Sequence, residues 1–277
     1  MAGGYRFEMI RTLTGRLSMV DDLSRNAGYE QAIWDKLNKT FSVLELLTSS
    51  AVAGACRSLI IYGPPGLGKS YTVEKCLEDT GASHSILKGG CTKIGLLRTL
   101  YAYRSKGDVI VFDDCDSVLL DQDCISLLKA ACDTTENRRI SYVSNLVVYP
   151  EGDELNPIPS TFEFDGTVIF ITNTDFENAN KKLQPHCDAL VSRSHYIDLQ
   201  MTSKWDYFVR IKQVVAMGGL KAIGLGEDEI VDVVKYIREN IDSLRELSVR
   251  MAIKIGQLRK EMANWRDVAD VTCKRVK

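Results

Sequence analysis

The sequence predicts an α/β protein: a parallel sheet with helices on both faces, followed by a smaller all-α region. Three observations carry this. Short apolar runs alternate with helical periodicity over most of the chain, as strand–helix–strand units do. Ser58 to Tyr62, Asp108 to Asp114 and Thr167 to Thr172 are short apolar runs of strand length, and strands alternating with helices imply a parallel sheet covered on both faces. Beyond Met201 only helical periodicity remains.

The elements follow in order. Residues 1–25 are mixed and polar and are expected to be partly mobile; 26–200 form the expected α/β domain, and 201–277 a helical domain with a basic tail. Ile33, Leu37, Phe41, Leu44 and Leu47 recur at helical spacing. Ser58 to Tyr62 is a strand that runs into GPPGLGKS, and Tyr71 to Glu78 is the helix that follows. Ser83 to Leu87 is a short strand between Gly81 and Gly89-Gly90, and Ile94 to Tyr103 is helical. Asp108 to Asp114 is an apolar strand ending in two carboxylates. Asp121 to Cys132 is a helix with Ile125, Leu127, Leu128 and Ala131 on its apolar side. Pro150, Gly152, Pro157 and Pro159 break up residues 134–166, which read as a hairpin or long loop. Thr167 to Thr172 and His195 to Leu199 are the last strands. Trp205 to Val215, Glu229 to Ile237 and Leu244 to Met262 are helical.

Composition is that of an ordinary soluble chain: 277 residues, 45% hydrophobic and 26% charged, with a net charge of -2. The overall charge implies no non-specific nucleic-acid binding. From Arg250 to Lys277, eight Lys or Arg stand against three acidic residues, which reads as a solvated face or as a phosphate-contacting surface. The eight cysteines form no C-x-x-C pair, and His84, His186 and His195 do not cluster with them, so they read as buried thiols of a reducing compartment. No apolar run approaches the ~18–20 residues of a membrane span, and no signal segment opens the chain, so the expectation is cytoplasmic.

Gly63, Pro64, Pro65, Gly66, Leu67, Gly68, Lys69 and Ser70 have the spacing of a phosphate loop, with Tyr71 next. The glycines let backbone N–H groups turn inward at a helix N-terminus, where an anion is stabilised. Lys69 is placed to reach the outer phosphates of a nucleoside triphosphate, and Ser70 to offer its hydroxyl to Mg2+. Asp113 ends a strand and is the second candidate ligand for Mg2+. Asp114, beside it, is the candidate base that polarises water. In a parallel sheet, ligands bind at the carboxyl ends of strands, which collects Lys69, Asp113, Asp114 and Asn173 on one edge.

With these motifs in order, the chain resembles the AAA+ ATPases, a match running from about residue 25 to about residue 265. Gly63 to Ser70 is similar to their Walker A loop and Val109 to Asp114 to Walker B. Ile171-Thr172-Asn173 resembles sensor 1, Ser192-Arg193 the arginine-finger element, and Ser248-Val249-Arg250 sensor 2. The resemblance implies a five-stranded P-loop NTPase core with a helical lid, ATP and Mg2+ as ligands, and self-association into a ring, a hexamer in the family. It implies that Asn173 helps place the lytic water, that Arg193 reaches a neighbour's γ-phosphate, and that Arg250, in competition with Arg245, contacts phosphate.

The sequence departs from the family in three places. Asp114 stands where Glu is usual, one methylene shorter, which predicts slow hydrolysis. Thr92-Lys93-Ile94-Gly95 has Lys93 where a pore aromatic is common, which suits a nucleic-acid backbone, a polypeptide gripped by Ile94, or a plain surface loop. Residues 134–166 are longer than one helix and a turn require. The expectation is an ATPase that remodels or moves a macromolecule, either protein or nucleic acid, as a helicase loader does. A P-loop kinase and a slow nucleotide switch are the other classes.

Overall fold

A computed structural model describes residues 27–179, 181 and 183–275. The segment expected to be mobile, residues 1–25, lies outside them. The described residues form two compact units. One holds Phe41–Pro64 and Lys69–Gln200; the other holds the described residues up to Thr40, Pro65–Gly68 and those from Met201 onward.

The first unit is built on a sheet of five parallel strands: β1 (Ser58–Tyr62), β2 (His84–Lys88), β3 (Val109–Asp113), β6 (Thr167–Thr172) and β7 (His195–Asp198), in the order β2-β3-β6-β1-β7. This is the predicted architecture. β3 and β6 are buried along their whole length and β1 nearly so, because helices cover both faces of the sheet. The edge strands β2 and β7 are only partly buried. Helix α2 (Lys69–Thr80) follows β1, α3 (Lys93–Ala102) follows β2, α4 (Gln122–Ala131) follows β3, and α5 (Gln184–Val191) precedes β7. Leu97 and Leu100 of α3, Leu128 of α4, and Phe112 and Phe170 of the sheet share one apolar core. Each fully buried side chain of this size contributes roughly 1.5–3 kcal/mol. The register sets Asp113 beside Ile171 and Tyr62 beside Thr172, so three strand ends finish level with one another.

The long segment between β3 and β6 is an antiparallel hairpin, β4 (Arg139–Ser141) with β5 (Thr161–Glu163). Ser141 and Thr161 pair their hydroxyls at 2.9 Å, and Val148 and Ile158 of the connecting loop bury their side chains in the apolar core.

Helix α1 (Ala27–Val52) contributes to both units, changing at Thr40 and Phe41. The helical unit contains α6 (Lys204–Ala216), α7 (Glu227–Glu239), α8 (Val249–Glu261) and α9 (Trp265–Cys273). Two expectations are corrected here. The helix read from Leu244 begins at Val249, because the Ser248 hydroxyl accepts from Met251 N and caps it. The stretch read as a basic tail contains α9, anchored by Trp265, Ala269 and Cys273, four residues apart and all buried. Three of its basic residues pair with acids: Arg266 with Glu239, Lys274 with Asp270, and on α8 Arg259 with Glu229 and Asp232. Among the described residues, no helix is long and apolar enough to cross a membrane.

Candidate nucleotide site

The phosphate loop leaves β1 at Tyr62 and enters α2 at Lys69. Gly63 passes so close to Leu199 that a Cβ there would lie 2.9 Å from that residue's Cβ. Lys69 is buried, and its ammonium donates to Asn173 Oδ1 at 2.7 Å, to Pro64 O at 3.0 Å and to Gly63 O. Asn173 donates in turn from Nδ2 to Asp114 Oδ1 at 2.8 Å. A chain of hydrogen bonds therefore links Lys69, Asn173 and Asp114, three residues expected to share one edge of the sheet. Lys69 is buried at one end, while Asn173 and Asp114 are exposed at the other.

Beside this chain, Ser70 Oγ donates to Asp113 Oδ1 at 2.8 Å. A hydroxyl in the first turn of a helix and a buried carboxylate at a strand end are hard oxygen donors of the kind Mg2+ selects, so the residues fit that ion. The other oxygen, Asp113 Oδ2, lies 3.4 Å from Lys88 Nζ at the end of β2. Lys88 also pairs with Glu74 at 2.7 Å; chiefly that hydrogen bond, opposed by desolvation, raises the ammonium above its ordinary range.

Asp114 has φ of 50°, and it is the one non-glycine residue with positive φ among those described. Its N–H donates to Ile171 O at 2.9 Å, which ties the turn after β3 to the end of β6. Two residues further, Asp116 accepts from Thr172 Oγ1 at 2.9 and 3.0 Å and from Thr174 Oγ1 at 2.6 Å. The carboxylate thus holds the residues on either side of Asn173. Its signal in the sequence is the acid one position beyond Asp114-Cys115, between two hydroxyl-bearing neighbours of Asn173 only in space.

The remaining candidates take no part in these hydrogen bonds. Arg193 donates from Nη1 to Ala189 O at 2.7 Å, folding back on the end of α5, while its Nε is buried with no hydrogen-bond partner among the described residues. Arg250 is exposed on α8, and Arg245 donates to Lys274 O. Tyr71 is 64% exposed on α2. Lys93 pairs with Asp123 at 3.0 Å and lies over the Tyr142 ring. Besides Asp116, the sequence reading missed Lys88 and the buried Arg210 of α6, which donates from Nε to Leu67 O at 3.0 Å.

The chain is similar to known proteins. Residues 59–192 match the model of the ATPase family associated with various cellular activities (AAA). The chain is 34% identical over 243 residues to an uncharacterized 36.7 kDa protein in the nrdC-mobD intergenic region of Enterobacteria phage T4, covering 84% of this chain and 73% of that one. A point mutant of RuvB from Thermotoga maritima superposes over 88% of this chain and 66% of its own, at 15% identity and a TM-score of 0.50. The same organism's RuvB, described as a Holliday junction branch migration motor, covers 88% and 65% at 15% identity and a TM-score of 0.48. At that identity the likeness to the point mutant is one of fold, and the chain spans just under two thirds of the RuvB chains.

Proposed function

Because the chain belongs to the AAA family of ATPases, we propose that it hydrolyses ATP with Mg2+ at sites shared between identical subunits and uses the energy to move or remodel a macromolecule. The observation that supports this best is the hydrogen-bonded chain from Lys69 through Asn173 to Asp114, set beside the Ser70–Asp113 pair. A binding module has no need of an exposed carboxylate held in place beside a buried cation.

In this reading the backbone of Gly63 to Gly68 cradles the phosphates, and Lys69 neutralises the outer ones. Mg2+, held by Ser70 and Asp113, would supply electrostatic stabilisation of the transferred phosphoryl group. Asp114 orients and partly deprotonates the attacking water. Asn173 fixes the carboxylate that does so and contributes a donor of its own. Arg193 completes a neighbouring subunit's site, which requires it to leave the carbonyl of Ala189. Its partnerless buried Nε is consistent with a side chain whose working partner lies on another subunit.

The test is direct. Phosphate release should require Mg2+ and vanish in Lys69→Ala, and native mass measurements should show an assembly that forms with ATP. Turnover that depends absolutely on an added phosphate acceptor would identify a kinase instead. The substrate class is read from stimulation. Lys93 pairs with Asp123, and Arg259, Arg266 and Lys274 of the basic C-terminal stretch pair with acids, which removes part of the case for nucleic acid. Single-stranded or duplex DNA that accelerates turnover would restore it.

A further inference from the structure

The apex of the phosphate loop, Pro65–Gly68, groups with the helical unit. Gly66 and Gly68 have φ of 77° and 85°, while Leu67 between them does not share a positive φ. Such alternation turns successive N–H groups to one side and forms an anion nest. It does not by itself choose which side they face. The carbonyls choose that, because C=O and N–H point in opposite directions across a trans peptide.

Both carbonyls are held. Gly66 O accepts from Val249 N at 2.8 Å, so the N–H of Leu67 is directed away from α8. Leu67 O accepts from Arg210 Nε at 3.0 Å, so the N–H of Gly68 is directed away from α6. Neither donor is free to wander. Val249 is the first residue of α8, where an N–H has no partner within the helix. Arg210 is 3% exposed; its Nη1 donates to Gln213 Oε1, and Gln213 donates to Trp34 O and Asn38 Oδ1. The approach is close: a Cβ on Gly66 would stand 2.6 Å from Ser248 Cβ.

We propose that Arg210 and the Val249 N–H are positioning groups that aim the N–H groups of Leu67 and Gly68 at the nucleotide's phosphates. The helical unit thereby sets the affinity for the polyphosphate. Sequence pattern pointed to the side chain of Arg250 in this motif; here the backbone N–H of the preceding residue does the work. The inference rests on the nucleotide-binding reading given above.

Val249→Pro removes one donor with little harm to the helix. Proline suits the first helical position, and Ser248 already has the extended backbone (φ -153°, ψ 160°) that a following proline demands. Equilibrium titration of the full chain should show ATP and ADP both weakened by about 10-fold more in Val249→Pro than in Val249→Ala, which keeps the N–H. Arg210→Met should lose about as much, and Arg210→Lys should recover part of it by donating to Leu67 O. The turnover number at saturating ATP should move less than KM. Equal losses in Val249→Pro and Val249→Ala would overturn the proposal, since packing rather than the donor would then matter. Should Val249→Pro fail to fold, the Arg210 pair decides: equal affinity in Met and Lys variants overturns it. Lys69→Ala separates the two levels, because full ATP affinity in that variant refutes nucleotide binding by this loop altogether.

Discussion

Asp116→Ala offers the sharpest test of how the water-facing groups are held. The carboxylate accepts from hydroxyls on both sides of Asn173, at 2.9, 3.0 and 2.6 Å. Hydrogen bonds to a charged acceptor contribute about 1.5–3 kcal/mol each, enough to hold one peptide in orientation against thermal motion. Removing them frees the strand end, and Asn173 loses its aim at Asp114. Loss of one aligned donor at a reacting centre lowers turnover by about 10²-fold or more. Asp116→Ala should therefore fall about as far as Asn173→Ala, with ATP affinity little changed. The double variant should be no slower than Asn173→Ala, which corresponds to a coupling of about 2.7 kcal/mol. The assay is phosphate release at saturating ATP, with thermal melting to confirm folding and Asp116→Asn as a milder partner. Losses that multiply to about 10⁴-fold in the double variant would show that Asp116 acts independently of Asn173, and the reasoning would fail.

Other outcomes follow from the same geometry. Asp114→Asn should bind ATP as the parent does and turn over at least about 10²-fold more slowly, as measured by single-turnover phosphate release. Arg193→Ala should leave ATP affinity intact and abolish turnover in the ATP-induced assembly; mixing it with Lys69→Ala should restore some activity, since each supplies what the other lacks. Gly66→Ala places a Cβ 2.6 Å from Ser248 Cβ at a φ of 77°, so melting should report a loss of about 1–2 kcal/mol from the backbone alone. Burial pushes Cys132 and Cys187 up to about 11 and Cys124 to about 12. Iodoacetamide at pH 8 should then leave these thiols unmodified in the folded chain. Because unfolded thiols ionise near 8.5, the stability they contribute is complete below about pH 8.5 and is lost as pH climbs toward 11, which melting against pH will show.

The residues proposed to hold phosphate were legible because their chemistry is local. Gly63 to Ser70 carries its own spacing, and β1, β3 and β6 announce themselves as unbroken apolar runs. Asn173 and Asp114 could be placed on one edge because a parallel sheet brings its strand ends together. The groups that hold those residues were not legible. Asp116 reaches Thr172 and Thr174 only after β3 and β6 pair in register. Arg210 is one of several cations in an amphipathic helix, and nothing in its neighbours marks its aim at Leu67 O. Helix α9 was hidden by its charge: Arg266, Asp267 and Asp270 obscure the four-residue spacing of Trp265, Ala269 and Cys273.

The φ of 50° at Asp114 recasts the departure from the family's usual Glu. A shorter acid looks at first like a loss of reach. Yet the left-handed basin is one that Asp and Asn enter far more readily than longer side chains do. Here the N–H of residue 114 must turn back to Ile171 O, and that turn is what the positive φ achieves. The chain has matched its acid to the bend that carries it. Restoring a longer carboxylate at this position would gain length toward water and lose ease in the backbone, so the identity of residue 114 is a conformational choice as much as a catalytic one.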